Sequence, residues 1–128
     1  MEIVSNKPID LAQIYDLIKK DTAGSVVLHF AIVRVSSESK VTSSIEFQAA
    51  GDIKDVEREL RAISVEIHGK WQVEDVVIVR ILGRLNIGDI ISLVGVSSPH
   101  REGAFEACRY GVDRLKGIST IMKKETFE

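Results

Sequence analysis

The sequence predicts an α+β fold with three main helices and a mixed or antiparallel sheet, in the order α-β-β-α-β-β-α-β. Three observations carry this. Apolar residues recur at helical spacing in separated stretches. Runs of β-branched residues lie between them. The elements do not follow the regular strand–helix–strand rhythm of a parallel α/β sheet.

The first helix is expected over residues 8–20. Pro8 suits a first turn, Leu11, Ile14, Tyr15 and Ile18 share a face, and Lys19 and Lys20 fall where the helix dipole favours cations. Asp21-Thr22-Ala23-Gly24 breaks it. Residues 25–35 are nearly continuous in apolar character and read as a strand covered on both faces. A polar loop over 36–40 leads to a second strand over 41–49.

Asp52 is a good N-cap for the second helix. Ile53, Val56, Leu60, Ile63 and Ile67 form its apolar stripe, and Lys54, Asp55, Glu57, Arg58, Glu59 and Arg61 form a solvated face. Gly69 is the expected C-terminal cap. Strands follow over 74–82 and 90–97, joined by a turn-rich connection over 83–89. The third helix is expected to start after an N-cap at Ser98 with Pro99 in its first position. Phe105, Cys108, Val112 and Leu115 are its expected buried stripe. Gly117 ends it, and residues 118–124 form a last strand.

A chain of 128 residues has the length of one domain and can bury a core without cross-links. The formal net charge of -2 argues against a nucleic-acid partner. No apolar run reaches the length of a membrane span, and Met1-Glu2-Ile3-Val4 does not open a signal peptide. One cysteine, Cys108, forbids an internal disulfide and fits a reducing, cytoplasmic setting. On an apolar helix face it reads as a small hydrophobe. His29, His68 and His100 lack metal-ligand spacing, so no metal is expected. His29 reads as a core or sheet-face residue. Phosphate-cradling and dinucleotide-binding glycine motifs are absent.

Basic residues carry the candidate chemistry. His100 and Arg101 stand at a helix start, where cations oppose the dipole; such a placement suits an anion site. Lys116 and Lys123 flank the far end of that helix and a turn, so both can face one pocket. Paired lysines there suit proton transfer or nucleophilic work. Taken alone, the same residues also fit a solvated helix start and two surface lysines.

A longer set of ordered motifs bears on the choice. Arg80-Ile81-Leu82-Gly83-Arg84-Leu85-Asn86-Ile87-Gly88-Asp89 is followed by Val94-Gly95-Val96-Ser97-Ser98-Pro99-His100-Arg101, then Ala104-Phe105-Glu106-Ala107, Asp113-Arg114-Leu115-Lys116 and Lys123-Lys124-Glu125. As a set they resemble the catalytic large subunit of molybdopterin synthase, the MoaE family, most densely over residues 77–125. The resemblance implies an α/β hammerhead-like fold and a homodimer. It implies a small ubiquitin-like partner ending in a Gly-Gly thiocarboxylate, the two subunits forming a heterotetramer. Sulfur passes from that tail to cyclic pyranopterin monophosphate, building the dithiolene of molybdopterin. No further cofactor is implied.

By the same resemblance, Lys116 is the lysine beside the thiocarboxylate and Lys123 the second catalytic lysine. His100, Arg101 and Arg34 would hold the substrate's phosphate and pterin. The chain departs from the family at several points. Thr120-Ile121-Met122 replaces Pro-x-Trp before the second lysine, Ala31 replaces a glycine and Ala50 an aromatic residue. Loop 36–40 lacks the usual glycine, and the family's basic C-terminal extension has no counterpart before Glu128. The alternative reading is therefore a non-catalytic homologue that binds a ubiquitin-like tail without turnover.

Overall fold

The computed structural model describes residues 1–35 and 42–127. The loop expected over 36–40 and the start of the second strand at Val41 lie outside them. The elements are β1 (Glu2–Ser5), α1 (Leu11–Ile18), β2 (Ser25–Ile32), β3 (Thr42–Ala49), α2 (Ile53–Lys70), β4 (Asp75–Ile81), β5 (Gly83–Asn86), β6 (Ile90–Ser98), α3 (Arg101–Lys116) and β7 (Ile121–Phe127). Three helices and two sheets bear out the α+β class. One sheet is mixed, in the order β1-β4-β6-β2; the other is antiparallel, in the order β5-β3-β7.

β4 shows why the core forms here. Its alternate residues feed two opposite faces. Val76 and Ile78 join α2 and α3 in one apolar cluster, while Val77, Val79 and Ile81 join α1 and the second sheet in another. A strand buried on both faces needs the continuous apolar run that this one has. α2 lays Val56, Leu60, Ile63 and Ile67 on the sheet, all fully buried. Asp52 caps it as expected: its Oδ1 accepts from the Lys54 amide at 2.9 Å, and Asp55 Oδ2 accepts from the Asp52 amide at 3.4 Å.

Several boundaries differ from the sequence expectation. α1 begins three residues after Pro8, because Asp10 Oδ1 accepts from the Ala12 amide at 3.0 Å and the Gln13 amide at 3.4 Å and so starts the helix there. Lys19 and Lys20 fall outside it. α2 runs through Gly69 to Lys70, with Trp71 as its cap, and Ile53 is half exposed. β2 ends at Ile32, where its register with β6 shifts. It is an edge strand with His29 and Ile32 exposed, so it is not covered on both faces.

Two elements were not expected. β1 is four residues long and exists through its parallel pairing with β4. β5 occupies part of the connection read as turns, and pairs with β3. Gly83 and Gly88, at φ +102 and +92, make the turns on either side of it, a conformation glycine adopts without strain.

α3 starts at Arg101 with His100 as N-cap, two residues later than expected. Ser98 instead ends β6, and its Oγ accepts from the His100 amide at 3.4 Å. The buried face of α3 is Ala104, Ala107, Cys108, Gly111 and Leu115. Phe105, expected inside, is 61% exposed. Small residues let the helix sit close to the sheet: a Cβ on Gly111 would lie 2.9 Å from Val94 Cγ1 and 3.2 Å from Ile67 Cδ1. Cys108 is buried, and burial pushes its thiol up to about 11, which suits a packing role.

Glu66 of α2 ties α3 down. Its oxygens accept from Arg114 Nε at 2.8 Å and Nη2 at 2.9 Å, and the Tyr110 hydroxyl donates to it. The Arg114 and Tyr110 hydrogen bonds hold its carboxyl at about 2 instead of 4.5. A depressed carboxyl adds stability above the unfolded value, and that stability is lost as pH falls through 4.5 toward 2. Both partners are at least one-third exposed, so screening keeps the contribution below about 1 kcal/mol. Glu66→Gln is expected to lower the melting temperature slightly at pH 7. In melting curves taken across pH, the gap between variant and parent should narrow below pH 4.5 and close as pH reaches about 2. A gap that stays constant with pH would contradict this. Among the described residues, no helix is long and apolar enough to cross a membrane.

Candidate active site

A cavity of about 360 Å³ opens where the end of α3 meets both sheets. Lys116, the last residue of α3, and Lys123 of β7 both line it. The turn between them is held from outside. Glu59 of α2 accepts from the amides of Ser119 at 3.1 Å and Thr120 at 2.9 Å, and the Ala50 amide donates to the Thr120 carbonyl at 2.8 Å. Glu59 therefore does more than face solvent, as its charged helix surface suggested: it fixes the turn that aims the two lysines. This turn contains Thr120 and Ile121, the segment that departs from the family's Pro-x-Trp.

Two further basic residues share the cavity and were not read as site residues from the sequence. His29 lines it from β2, on the face of that strand shared with Ala31. Arg80 lines it from β4 and is 8% exposed. Its Nη1 donates to the carbonyls of Ile81 at 3.1 Å and Ile91 at 3.3 Å, and its guanidinium lies 4.3 Å from the centre of the Phe47 ring. Burial lowers it to about 10, which still leaves a cation at neutral pH. The rest of the wall is mostly apolar, including Phe47, Ile91, Val94, Leu115 and Ile121. No carboxylate lines the cavity among the described residues, so its electrostatics are those of an anion site.

His100 and Arg101 lie elsewhere. Both are exposed at the start of α3, where they line a shallow depression with Gly24, Pro99 and Glu102. Gly24 is required there, because a Cβ would lie 2.7 Å from the Pro99 carbonyl oxygen. α3 has 16 residues, which puts its two ends about 22 Å apart. Within one chain, then, the four predicted basic residues form two groups at opposite ends of one helix. Arg34 is exposed on the segment after β2 and does not line the lysine cavity.

Two sheets flanked by three helices, with a cation-lined cavity at their join, define a hammerhead-like subunit whose cavity suits an anionic group. Comparison with known proteins names the family. The MoaE protein model matches residues 4–118. The molybdopterin synthase catalytic subunit of Staphylococcus epidermidis is 38% identical over 127 residues, covering 99% of this chain and 83% of that relative. The crystal structure of molybdopterin synthase from Staphylococcus aureus superposes with a TM-score of 0.91 at 34% identity, covering 98% of this chain and 90% of that one. The fold also matches a complex of subunits 1 and 2 of the molybdopterin-converting factor from Helicobacter pylori, with a TM-score of 0.76 at 13% identity and coverage of 99% and 85%. The chain belongs to the MoaE family. Its function is that of a catalytic subunit in molybdopterin synthesis.

Proposed function

We propose that Lys116 and Lys123 carry the sulfur-transfer step of this catalytic subunit, within a single MoaE-like domain spanning residues 1–128. The observation that carries the reading is their convergence on one cavity with no lining carboxylate among the described residues. The thiocarboxylate tail of a small ubiquitin-like carrier enters that cavity. Lys116 sits beside the thiocarboxylate and stabilises the charge that shifts as its sulfur adds to a pterin carbon, whose oxygen leaves as water. Water then cleaves the acyl–sulfur bond, leaving the sulfur on the pterin and the carrier as its carboxylate. Lys123 is placed to move a proton during the same exchange.

The pterin phosphate needs cations of its own. His100 and Arg101 supply them, with Arg34 from the segment after β2. Because about 22 Å of helix separates His100 and Arg101 from Lys116, we assign them to the site of a second copy of the chain. In that homodimer, one copy holds the tail and its lysines while the other holds the phosphate. The free thiol at Cys108 suits a cytoplasmic setting.

Reconstitution tests the reading. The chain, mixed with thiocarboxylated carrier and cyclic pyranopterin monophosphate, is expected to yield molybdopterin and release the carrier as its carboxylate. Carrier binding with no molybdopterin formed would favour the binding-only alternative. No observation on the site supports that alternative, since both lysines are present and share the cavity.

A further inference from the structure

Arg80 has no part in the roles assigned so far, yet its placement is unusual. It is a nearly buried guanidinium with no salt bridge among the described residues. A buried cation without a partner is costly unless something else compensates it. Two contacts fix its orientation: Nη1 is held by the Ile81 and Ile91 carbonyls, and one face rests on Phe47. The opposite edge, Nε and Nη2, makes no hydrogen bond among the described residues. That edge is not sealed off, because the buried side-chain atoms without partners are Ser97 Oγ and Thr120 Oγ1. Arg80 is also one of the residues that line the lysine cavity.

The same molecule shows what such an edge binds. Arg114 uses its Nε and Nη2 to take both oxygens of Glu66, at 2.8 and 2.9 Å. Two parallel N–H groups match the two coplanar oxygens of a carboxylate. We propose that Arg80 is a preoriented clamp for the terminal carboxylate of a polypeptide tail, holding that end group in the cavity beside Lys116 and Lys123. This rests on the reading that the cavity receives a carrier tail. The substrate's phosphate is the other oxyanion in the reaction, and it is already assigned to His100 and Arg101. Arg80 is a positioning residue here: it holds the tail's end group beside Lys116 and Lys123, through one oxygen of the thiocarboxylate and through both oxygens once the sulfur has left.

Calorimetric titration with two forms of the carrier tests the clamp. One form ends in a free carboxylate; the other is a semisynthetic C-terminal amide. The parent protein is expected to bind the carboxylate form about tenfold to a hundredfold more tightly. Arg80→Gln should lower that ratio about tenfold, leaving the part that Lys116 and Lys123 contribute. Arg80→Lys, which keeps the charge and loses the fork, should lower it several-fold. Equal affinity of the parent for both forms would overturn the clamp, and that arm needs no variant to fold. A folded Arg80→Gln protein that keeps the parent ratio would overturn it too. So would one that keeps the ratio and loses binding of inorganic phosphate, which would hand Arg80 to the substrate. A parent that makes molybdopterin but does not discriminate the two tails sinks the clamp alone. A parent that discriminates them, with that discrimination lowered by Arg80→Gln, but makes no molybdopterin sinks the sulfur-transfer reading and supports the clamp.

Discussion

Lys116→Ala is expected to lower molybdopterin formation about 10²- to 10⁴-fold, the range seen when a positioned proton-transfer or charge-stabilising side chain is removed. The residue is exposed at the last position of α3, and its neighbours in the core, Leu115 and Gly111, are untouched. The melting temperature should therefore stay within about 2 °C of the parent, since exposed substitutions change stability by under about 0.5 kcal/mol. Carrier affinity should fall much less than turnover, because apolar walls and Arg80 remain. Turnover assays with thiocarboxylated carrier, run beside a binding titration, separate these quantities. Near-parental turnover in the variant would remove Lys116 from the chemistry.

The largest effect on stability is expected from Leu60→Ala. Leu60 is fully buried at the centre of the α2 stripe, within the cluster that joins α2, α3 and the sheet. The substitution removes one methine and two methyl carbons and leaves a cavity in a close-packed region, a loss of about 3 kcal/mol. For a chain of this size that is a fall of about 10 °C in melting temperature. The effect reaches the site as well. Glu59, one residue away, holds the Ser119 and Thr120 amides, so a loosened α2 also loosens the turn between Lys116 and Lys123. Calorimetry should show the lower melting temperature, and kinetics a smaller, separate drop in turnover. A shift under about 2 °C would mean that the site collapses around the lost atoms.

The long, strongly patterned elements were legible before any coordinates. α2 announces itself through a stripe at spacings of three and four and through Asp52, and both were found in place. β4 announces itself through an apolar run that two core clusters require. β1 and β5 were not legible, because four-residue strands carry little pattern and owe their existence to distant partners. α3 misled in a different way. Its packing is done by Ala104, Ala107 and Gly111, whereas Phe105, the most hydrophobic side chain in the segment, faces outward.

The site was legible in part. Lys116 and Lys123 were picked out from their spacing and from the family resemblance, and the structure brings them to one cavity. His29 reads from the sequence as a core or sheet-face residue, and Arg80 stands out only as the first residue of a family-like motif. The signal was nonetheless present: a cation at the end of a strand buried on both faces has to be compensated by something. His100 and Arg101 were expected beside the lysines, and the length of α3 keeps them apart within one chain. Sequence proximity could not show this, since only the helix geometry sets the distance.

The central claim is that each sulfur-transfer site combines the lysines of one copy with His100 and Arg101 of a second. Mixing two inactive variants tests it most directly. Lys116→Ala and Arg101→Ala proteins are each expected to make little molybdopterin alone. After subunit exchange at equal concentrations, half of the dimers carry one of each. One of the two sites in such a dimer is then wholly intact, so activity should return to about a quarter of the parent level. A mixture whose subunits have demonstrably exchanged, yet which stays as inactive as its components, would contradict the shared site.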